Sequence, residues 1–307
     1  MSRVKFISRD RLDVKKWDQC IDNATNGVIY AYSFYLDRMS KHWDALVYGD
    51  YEYVMPLTWN RKFGIHYLYQ PPFTAALGAF GTDFPPTLIQ QFYNAIPDDF
   101  KLIEIDLNPG NGVPHTSGQS LLRNNFVLDL SKSYQEIQQG YKDNVKRNIK
   151  KAVQLNCTYN NDISVDQVIE LSRIQNEIRK EYTEHDYYRF RKLFMKLYQE
   201  KKAKACGVFG PNKDLVASCV YLFSHNRAYY ILVGNHPNSK TMGASHFLID
   251  RFIEEHSEQG LTLDFEGSDQ RNVAFFYSSF GAHPETYPAI RVNNLPFWAK
   301  LLKRFKK

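Results

Sequence analysis

AKACGVFGPNKDLVASCVYLFSHNRAYYILVGNHP, residues 203–237, contains three apolar runs that are separated by short polar segments. The first two runs flank Gly210-Pro-Asn-Lys-Asp, a composition typical of a β-hairpin turn. Residues 245–260 follow with apolar residues at helical spacing that end at Gly260, and residues 261–267, LTLDFEG, have the pattern of a strand. The stretch therefore predicts three antiparallel strands, a helix and a closing strand.

An earlier part of the chain repeats this order of patterns. Two apolar runs around a Gly-Asp turn, a third run, a helical pattern and a closing strand occupy residues 43–60, 64–73, 86–96 and 101–111. In the repeat, Asp106 corresponds to Asp264, and Asn108 corresponds to Glu266. Because a helical crossover joins parallel neighbours, each copy predicts a mixed sheet. We expect an α/β protein with two tandem domains, residues 1–140 and residues 141–307.

The composition excludes several classes of protein. The chain has 307 residues, of which 43% are hydrophobic and 15% aromatic, and this argues against disorder. The four cysteines form no CxxC pair and have no histidine at metal-ligand spacing, so we expect neither a disulfide framework nor a metal site. No signal peptide and no run of about 18 apolar residues are recognisable, and a cytoplasmic protein is the expectation.

Two basic segments contribute to the net charge of +6. In the first, residues 141–159, a helical pattern carries Lys146, Arg147 and Lys150, which are candidates for contacts with phosphate or with a nucleotide acceptor. The second, residues 296–307, predicts an amphipathic helix that either rests on an anionic membrane surface or docks on the protein. Its apolar and basic faces carry Phe297, Leu301, Leu302 and Phe305, and Lys300, Lys303, Arg304 and Lys306, respectively.

Strand ends and helix starts are where mixed α/β sheets bind ligands. In the second copy, the third strand leaves the sheet at Gly234 and Asn235, and the helix is preceded by Lys240, Gly243 and Ala244. Small residues there allow backbone N–H groups to approach an anionic group, and the helix dipole favours that charge. A tight turn without any ligand is the alternative interpretation.

The closing strand of the second copy carries two carboxylates. Alternation places Asp264 and Glu266 on the same face, where they can act as a base and its orienting partner. The alternative is a strand end at which both acids bind backbone N–H groups. A short helical pattern follows, in which Phe276 and Phe280 are core candidates and Tyr277 can face an opening and donate a proton.

These motifs resemble those of GNAT-type acyltransferases. Asn272 and Ala274 precede Tyr277, Gly281 follows four residues later, and Lys240-x-x-Gly243-Ala244 is similar to the pyrophosphate loop of that family. The duplication and the basic segment between the copies narrow the resemblance to Fem-type peptidyltransferases and related tandem acyltransferases. The resemblance covers nearly the whole chain and implies two tandem GNAT-like domains.

The resemblance also implies an activity, namely transfer of an acyl or aminoacyl group from acyl-CoA or aminoacyl-tRNA to an amine. Glu266, Tyr277 and Asp264 would be catalytic in the second copy, because the first copy has Asn108 in place of the glutamate. The residues Gly234, Asn235, Lys240, Gly243, Ala244 and Asn272 would bind the cosubstrate. Fem-type members use tRNA to extend peptidoglycan precursors, but the chain lacks their long coiled-coil arm. A degenerate binding protein without catalysis is a third possibility.

Overall fold

The computed structural model describes residues 3–267 and 269–304, apart from the side chains of residues 178, 179 and 301–304. The strands are β1 (Val4–Ile7), β2 (His42–Tyr48), β3 (Tyr53–Lys62), β4 (Ile65–Tyr69), β5 (Phe100–Asp106), β6 (Gln119–Asp129), β7 (Thr158–Asn160), β8 (Ala203–Phe209), β9 (Leu215–Ser224), β10 (Arg227–Asn235), β11 (Thr262–Asp264) and β12 (His283–Asn293). The helices are α1 (Val14–Asn23), α2 (Ser33–Met39), α3 (Ile89–Asn94), α4 (Tyr134–Gln139), α5 (Asp143–Gln154), α6 (Val165–Arg179), α7 (Glu184–Gln199), α8 (Ser239–Met242), α9 (Ala244–His256), α10 (Arg271–Ser278) and α11 (Phe297–Arg304).

The chain forms two compact units whose boundaries differ from the predicted domains 1–140 and 141–307. Unit 1 draws on residues 1–123 and 286–307, and unit 2 comprises residues 124–285. The difference arises because each copy of the repeat is completed by a strand from the other half of the sequence. In unit 1, β12 pairs with β5, and in unit 2, β6 pairs with β11. Residues 124–140 therefore belong with the second copy and residues 286–307 with the first.

Unit 1 contains the first copy of the repeat, in the strand order β1-β2-β3-β4-β5-β12. The strands β2, β3 and β4 pair antiparallel, as the hairpin signal at Gly49-Asp50 predicts, and β4 pairs parallel to β5 across the segment that contains α3. The core is formed by apolar side chains of these strands and of α3, among them Leu46, Phe92 and Ile290. The predicted mixed sheet of the first copy is confirmed.

Unit 2 contains the second copy, in the strand order β6-β11-β10-β9-β8-β7. The strands β8, β9 and β10 pair antiparallel, and β10 pairs parallel to β11 across helices α8 and α9. The helix α9 buries its apolar face on the sheet, where the ring of Phe252 stacks on Tyr221 with centroids 3.6 Å apart. The repeated order of strand, strand, strand, helix and strand is therefore confirmed in both units.

Two further findings concern membrane-spanning helices and the cysteine thiols. Within the described ranges, no helix combines the length and the apolar character that crossing a bilayer would require. All four cysteines are buried and free. Burial raises the pKa of the Cys20 and Cys206 thiols to about 12, so neither is ionised at neutral pH.

Candidate active site

A cleft opens in unit 2 where β10 and β11 stop being paired. The last parallel pair is Tyr229 with Asp264, after which β10 continues to Asn235 while β11 ends. A bulge at Ile231 shifts the pairing of β10 with β9 at the same level. The cleft has a volume of about 550 Å³ and is lined by residues 230–233 and 235, 265–267, parts of α8, α9 and α10, and the end of α6 with the loop after it.

Glu266 lines this cleft. Its Oε1 atom is buried, and no hydrogen-bond donor within the described residues reaches it. Burial raises the pKa of Glu266 well above its ordinary value, because it removes the hydration of the charged form. The backbone of Glu266 adopts a φ of 60°, a left-handed conformation that non-glycine residues rarely adopt. The side chain thus brings to the cleft a carboxyl group that gives up its proton less readily than an ordinary glutamic acid.

Asp264 lies apart from the cleft, in contrast to the predicted same-face pair. The strand ends at Asp264, and the positive φ of Glu266 breaks the alternation that the prediction assumed. Asp264 Oδ2 accepts a bond of 2.7 Å from Arg227 Nη1, and its Oδ1 accepts one of 2.9 Å from Asn125 Nδ2. Oδ1 also accepts the backbone N–H of Glu266 at 2.8 Å. The second interpretation of the strand end, a carboxylate that binds its own loop, fits Asp264.

Tyr277 of α10 lines the cleft, as expected from its position beside the apolar stripe. Its ring stacks on Phe265 with centroids 4.6 Å apart, and it meets the ring of Tyr230 edge-on at 6.4 Å. Phe280 is fully buried, as predicted, whereas Phe276 both packs on the core and lines the cleft. The floor of the cleft is thus aromatic, and Tyr277 brings a hydroxyl group to it.

His246 was not among the predicted site residues, but it also lines the cleft. It lies in the first turn of α9, with its ring edge-on to Phe276 at 4.9 Å and stacked near Phe280 at 5.8 Å. Burial lowers the pKa of His246 to about 4, so the imidazole is neutral at neutral pH. In the sequence, only the position of His246 directly after Gly243-Ala244-Ser245 indicates a place near the site. Its burial depends on α10, which comes later in the chain.

The predicted cosubstrate residues divide into two groups. Asn235, Lys240 and Asn272 line the cleft, and Asn235 Oδ1 accepts a bond of 2.6 Å from Ser245 Oγ. The small residues Gly234, Gly243 and Ala244 are buried outside its lining. The short helix α8 occupies the predicted pyrophosphate loop, and the N–H of Gly243 already bonds to the carbonyl of Ser239.

Gly243 is required for close helix packing. Its φ is +73°, and a Cβ atom there would lie 2.3 Å from the carbonyl oxygen of Asn148 in α5. The basic residues of α5, Lys146, Arg147 and Lys150, are exposed and do not line the cleft. Their contact with phosphate or a nucleotide stays a prediction.

The corresponding place in unit 1 is filled by the chain itself. Leu77 forms a parallel bridge to Leu107, next to the end of β5. Asn108, the counterpart of Glu266, is fully buried, and its Nδ2 donates to the carbonyl groups of Leu77 at 2.9 Å and of Ala79 at 3.0 Å. Residues 77–79 thus occupy in unit 1 the space that is open in unit 2.

The described residues contain no cluster of three or more His, Cys, Asp or Glu side chains that could hold a metal ion. Among the groups that line the cleft are the carboxyl of Glu266, the phenol of Tyr277 and the neutral imidazole of His246. This set can move protons and orient a carbonyl group.

Comparison with known proteins shows likeness in fold. No protein-family model and no curated protein sequence matches the chain. The structure of FemX superposes with a TM-score of 0.64 at 10% identity, covering 99% of this chain and 100% of FemX. The C-terminal domain of a predicted lysylphosphatidylglycerol synthetase from Agrobacterium fabrum gives 0.58 at 10% identity, covering 95% of each chain. A conserved protein of unknown function from Bacteroides thetaiotaomicron gives 0.55 at 10% identity, covering 95% of this chain and all of the other.

Proposed function

Because the chain has the GNAT-like, Fem-type α/β fold, we propose that the cleft of unit 2 transfers an acyl or aminoacyl group from an activated carrier to an amine. The observation that carries the proposal is Glu266, a buried carboxyl group whose Oε1 has no donor among the described residues, in an opening between two strands. An amine acceptor is the partner that such a carboxyl lacks. Unit 1 has no open counterpart at Asn108, so we assign the reaction to unit 2 alone.

The proposed role of Glu266 is to accept a proton from the acceptor. An amine reaches the protein mostly as an ammonium ion, which cannot attack a carbonyl carbon until it loses a proton. The raised pKa of Glu266 brings the carboxyl closer to the pKa of an amine, and proton transfer between the two becomes less unfavourable. Asp264 accepts hydrogen bonds from Arg227 and from the backbone N–H of Glu266. Its proposed role is therefore only to position the Glu266 backbone.

The proposed transfer is a direct displacement. The amine nitrogen forms a bond to the carbonyl carbon of the donor, and the bond from that carbon to the sulfur or oxygen of the carrier breaks. Ionised Glu266 holds the first proton of the ammonium ion. The leaving atom takes a proton from the hydroxyl of Tyr277, and the phenolate so formed recovers, through solvent, the second proton that the nitrogen loses. In this proposal, a backbone N–H group at the bulge of Ile231 would stabilise the negative charge on the carbonyl oxygen.

Acyl-CoA is the first candidate for the donor. Its phosphates would contact the polar rim of the cleft at Lys240, Ser239 and Ser245, beside Asn235. This placement replaces the earlier expectation of contacts with Gly243 and Ala244, since both of these residues are buried outside the lining of the cleft. The acceptor class includes amine-bearing precursors of the cell envelope.

Aminoacyl-tRNA is the second candidate, and the occupied pyrophosphate loop favours it. With α8 in the loop and Gly243 packed on α5, fewer backbone N–H groups remain for a pyrophosphate. The likeness in fold to FemX is compatible with this donor, since Fem-type members use aminoacyl-tRNA. Binding through the exposed basic residues of α5 would weaken steeply with salt, because bound tRNA releases counterions.

The test uses the full chain with labelled acetyl-CoA and, separately, with total tRNA charged with labelled amino acids. Each donor is assayed for retention by the protein and for transfer of label to a panel of primary amines. We expect one donor to be retained and turned over, and Glu266→Gln to abolish turnover but not retention. Retention without any turnover would favour the binding protein without catalysis, and no retention of either donor would overturn both forms of the proposal.

A further inference from the structure

Helix α11 turns aromatic side chains toward solvent. Phe297 is 77% exposed and Trp298 is 48% exposed, whereas Ala299 is buried at 9%. Successive helical positions are 100° apart, so Ala299 lies on the side of α11 opposite to the middle of its apolar face. If the helix docked on the protein by its apolar face, both aromatic rings would be buried. The observed contacts therefore leave this face uncovered.

The uncovered face is flanked by positive charge. In the sequence, leucine follows at positions 301 and 302. Lysine and arginine occupy positions 300, 303, 304, 306 and 307, and residues 294–307 include no aspartate or glutamate. An apolar stripe beside a row of cations matches the boundary between acyl chains and anionic headgroups, where tryptophan is also favoured.

We propose that α11 binds the surface of an anionic lipid membrane, with Phe297 and Trp298 inserted at the level of the headgroups. Nucleic acid fits the basic residues but offers no apolar layer to cover the two rings. A second copy of this chain could cover the rings, but it would bring its own basic row against this one. An anionic bilayer satisfies both the apolar face and the charge, and this surface is independent of the cleft in unit 2.

The experiment is co-sedimentation of the full chain with vesicles of phosphatidylcholine alone or with added phosphatidylglycerol. We expect binding to the anionic vesicles, weakened by salt, and at least a tenfold lower partition coefficient for Phe297→Ser combined with Trp298→Ser. The matched control is Phe63→Ser, which removes a 69% exposed ring at the β3–β4 turn and should leave binding unchanged. Equal pelleting of the double variant and the parent would overturn the proposal.

Fluorescence provides a readout in the unaltered chain. Of the four tryptophans, Trp17 and Trp43 are buried and Trp59 is half-buried in unit 1, so a blue shift on addition of anionic vesicles is assigned to Trp298 by its loss in Trp298→Ser. The shift should be absent with neutral vesicles and in Trp298→Ser. If the parent shows no shift and no pelleting, but binds tRNA or forms dimers in a way that the double variant loses, the membrane assignment is wrong.

Discussion

Arg227 Nη1 lies 2.7 Å from Oδ2 of Asp264, and these two residues mark the first and the last paired levels of β10 and β11. The same guanidinium also binds Glu285, with Nη1 to Oε2 at 2.9 Å and Nη2 to Oε1 at 3.0 Å. One cation thus serves two carboxylates that are mostly removed from solvent. In unit 1 the numbers are reversed, since one carboxylate, Asp106, accepts bonds from two cations, Arg123 and Arg291. The aspartate that recurs at the strand end is part of the architecture.

Arg227→Met should be strongly destabilising, because it leaves Asp264 and Glu285 facing each other without a cation. Removing one partner of a buried ion pair typically costs about 3–5 kcal/mol in the free energy of unfolding. The control is Arg191→Met, which breaks a surface pair with Asp166 whose side chains are 52% and 55% exposed, and should cost less than about 1 kcal/mol. Urea unfolding of both variants measures the difference, and equal losses would contradict the architectural role.

The strand end also shows how much of the fold the sequence predicts. The repeat, the parallel closing strand and the correspondence of Asp106 with Asp264 follow from apolar periodicity, which is local. The exchange of β6 and β12 between the copies cannot be predicted in this way. The two apolar runs have similar patterns, and no local feature determines whether a run pairs with β5 or with β11. The resemblance predicted the fold class, but the unit boundaries needed the pairing itself.

The site residues, too, could be predicted from the sequence only in part. Glu266 and Tyr277 could be named because a strand end and a short helix follow from the pattern. The positive φ of Glu266 could not be predicted, since it is imposed by the bonds that hold the loop, among them the one from its N–H to Asp264. His246 was missed because its burial depends on Phe276 and Phe280, which arrive from another helix.

Glu266→Gln should become more stable relative to the parent as the pH rises. In the parent, the folded-state pKa of Glu266 is raised above the unfolded value of about 4.3, so its contribution is fully present below that value. As the pH rises, the unfolded state ionises first, and stability is lost until the folded pKa is passed. Glutamine does not titrate. Unfolding of both proteins from pH 4 to pH 8 should show a growing difference, and a constant difference over this range would contradict the raised pKa of Glu266.

His246→Phe should remove an acid sensitivity of the parent. The folded pKa of about 4 lies below the ordinary 6.5, so the unfolded state binds the proton first as the pH falls. The parent should lose on the order of 2 kcal/mol between pH 6.5 and pH 4 through this ring, after allowance for its partial exposure. Thermal unfolding at several pH values measures the loss. A His246→Phe profile parallel to that of the parent would contradict the neutral imidazole.

Tyr277→Phe should lower turnover while leaving the cleft intact. The phenylalanine keeps the ring contacts with Phe265 and Tyr230, so folding and donor retention should be unchanged. Loss of the proton donor should reduce kcat by about 100-fold or more, with little change in KM. Tyr188→Phe, at a 52% exposed tyrosine of the same unit, is the matched control. Turnover equal to that of the parent would remove Tyr277 from the proposed mechanism.

Gly243→Ala should cost more than the backbone conformation alone explains. Gly260 provides the comparison, because it also has a positive φ of +60° but nothing lies within 4 Å of a Cβ atom placed there. Gly260→Ala therefore isolates the cost of the left-handed conformation, about 1–2 kcal/mol. At Gly243 the left-handed conformation has the same cost, and the added Cβ atom would also lie 2.3 Å from the Asn148 carbonyl oxygen. This contact can be relieved only by moving α5 away from the start of α9.

That movement would also reach the cleft, since Ser245 and His246 lie in the first turn of α9. We expect Gly243→Ala to lower both the unfolding midpoint and donor retention, whereas Gly260→Ala lowers the midpoint only. If the two alanine variants lose the same stability and both retain donor, the packing of α5 does not hold the helix start in place. A loss of retention confined to Gly243→Ala would show that the glycine of the predicted pyrophosphate loop acts through helix packing, without touching the ligand.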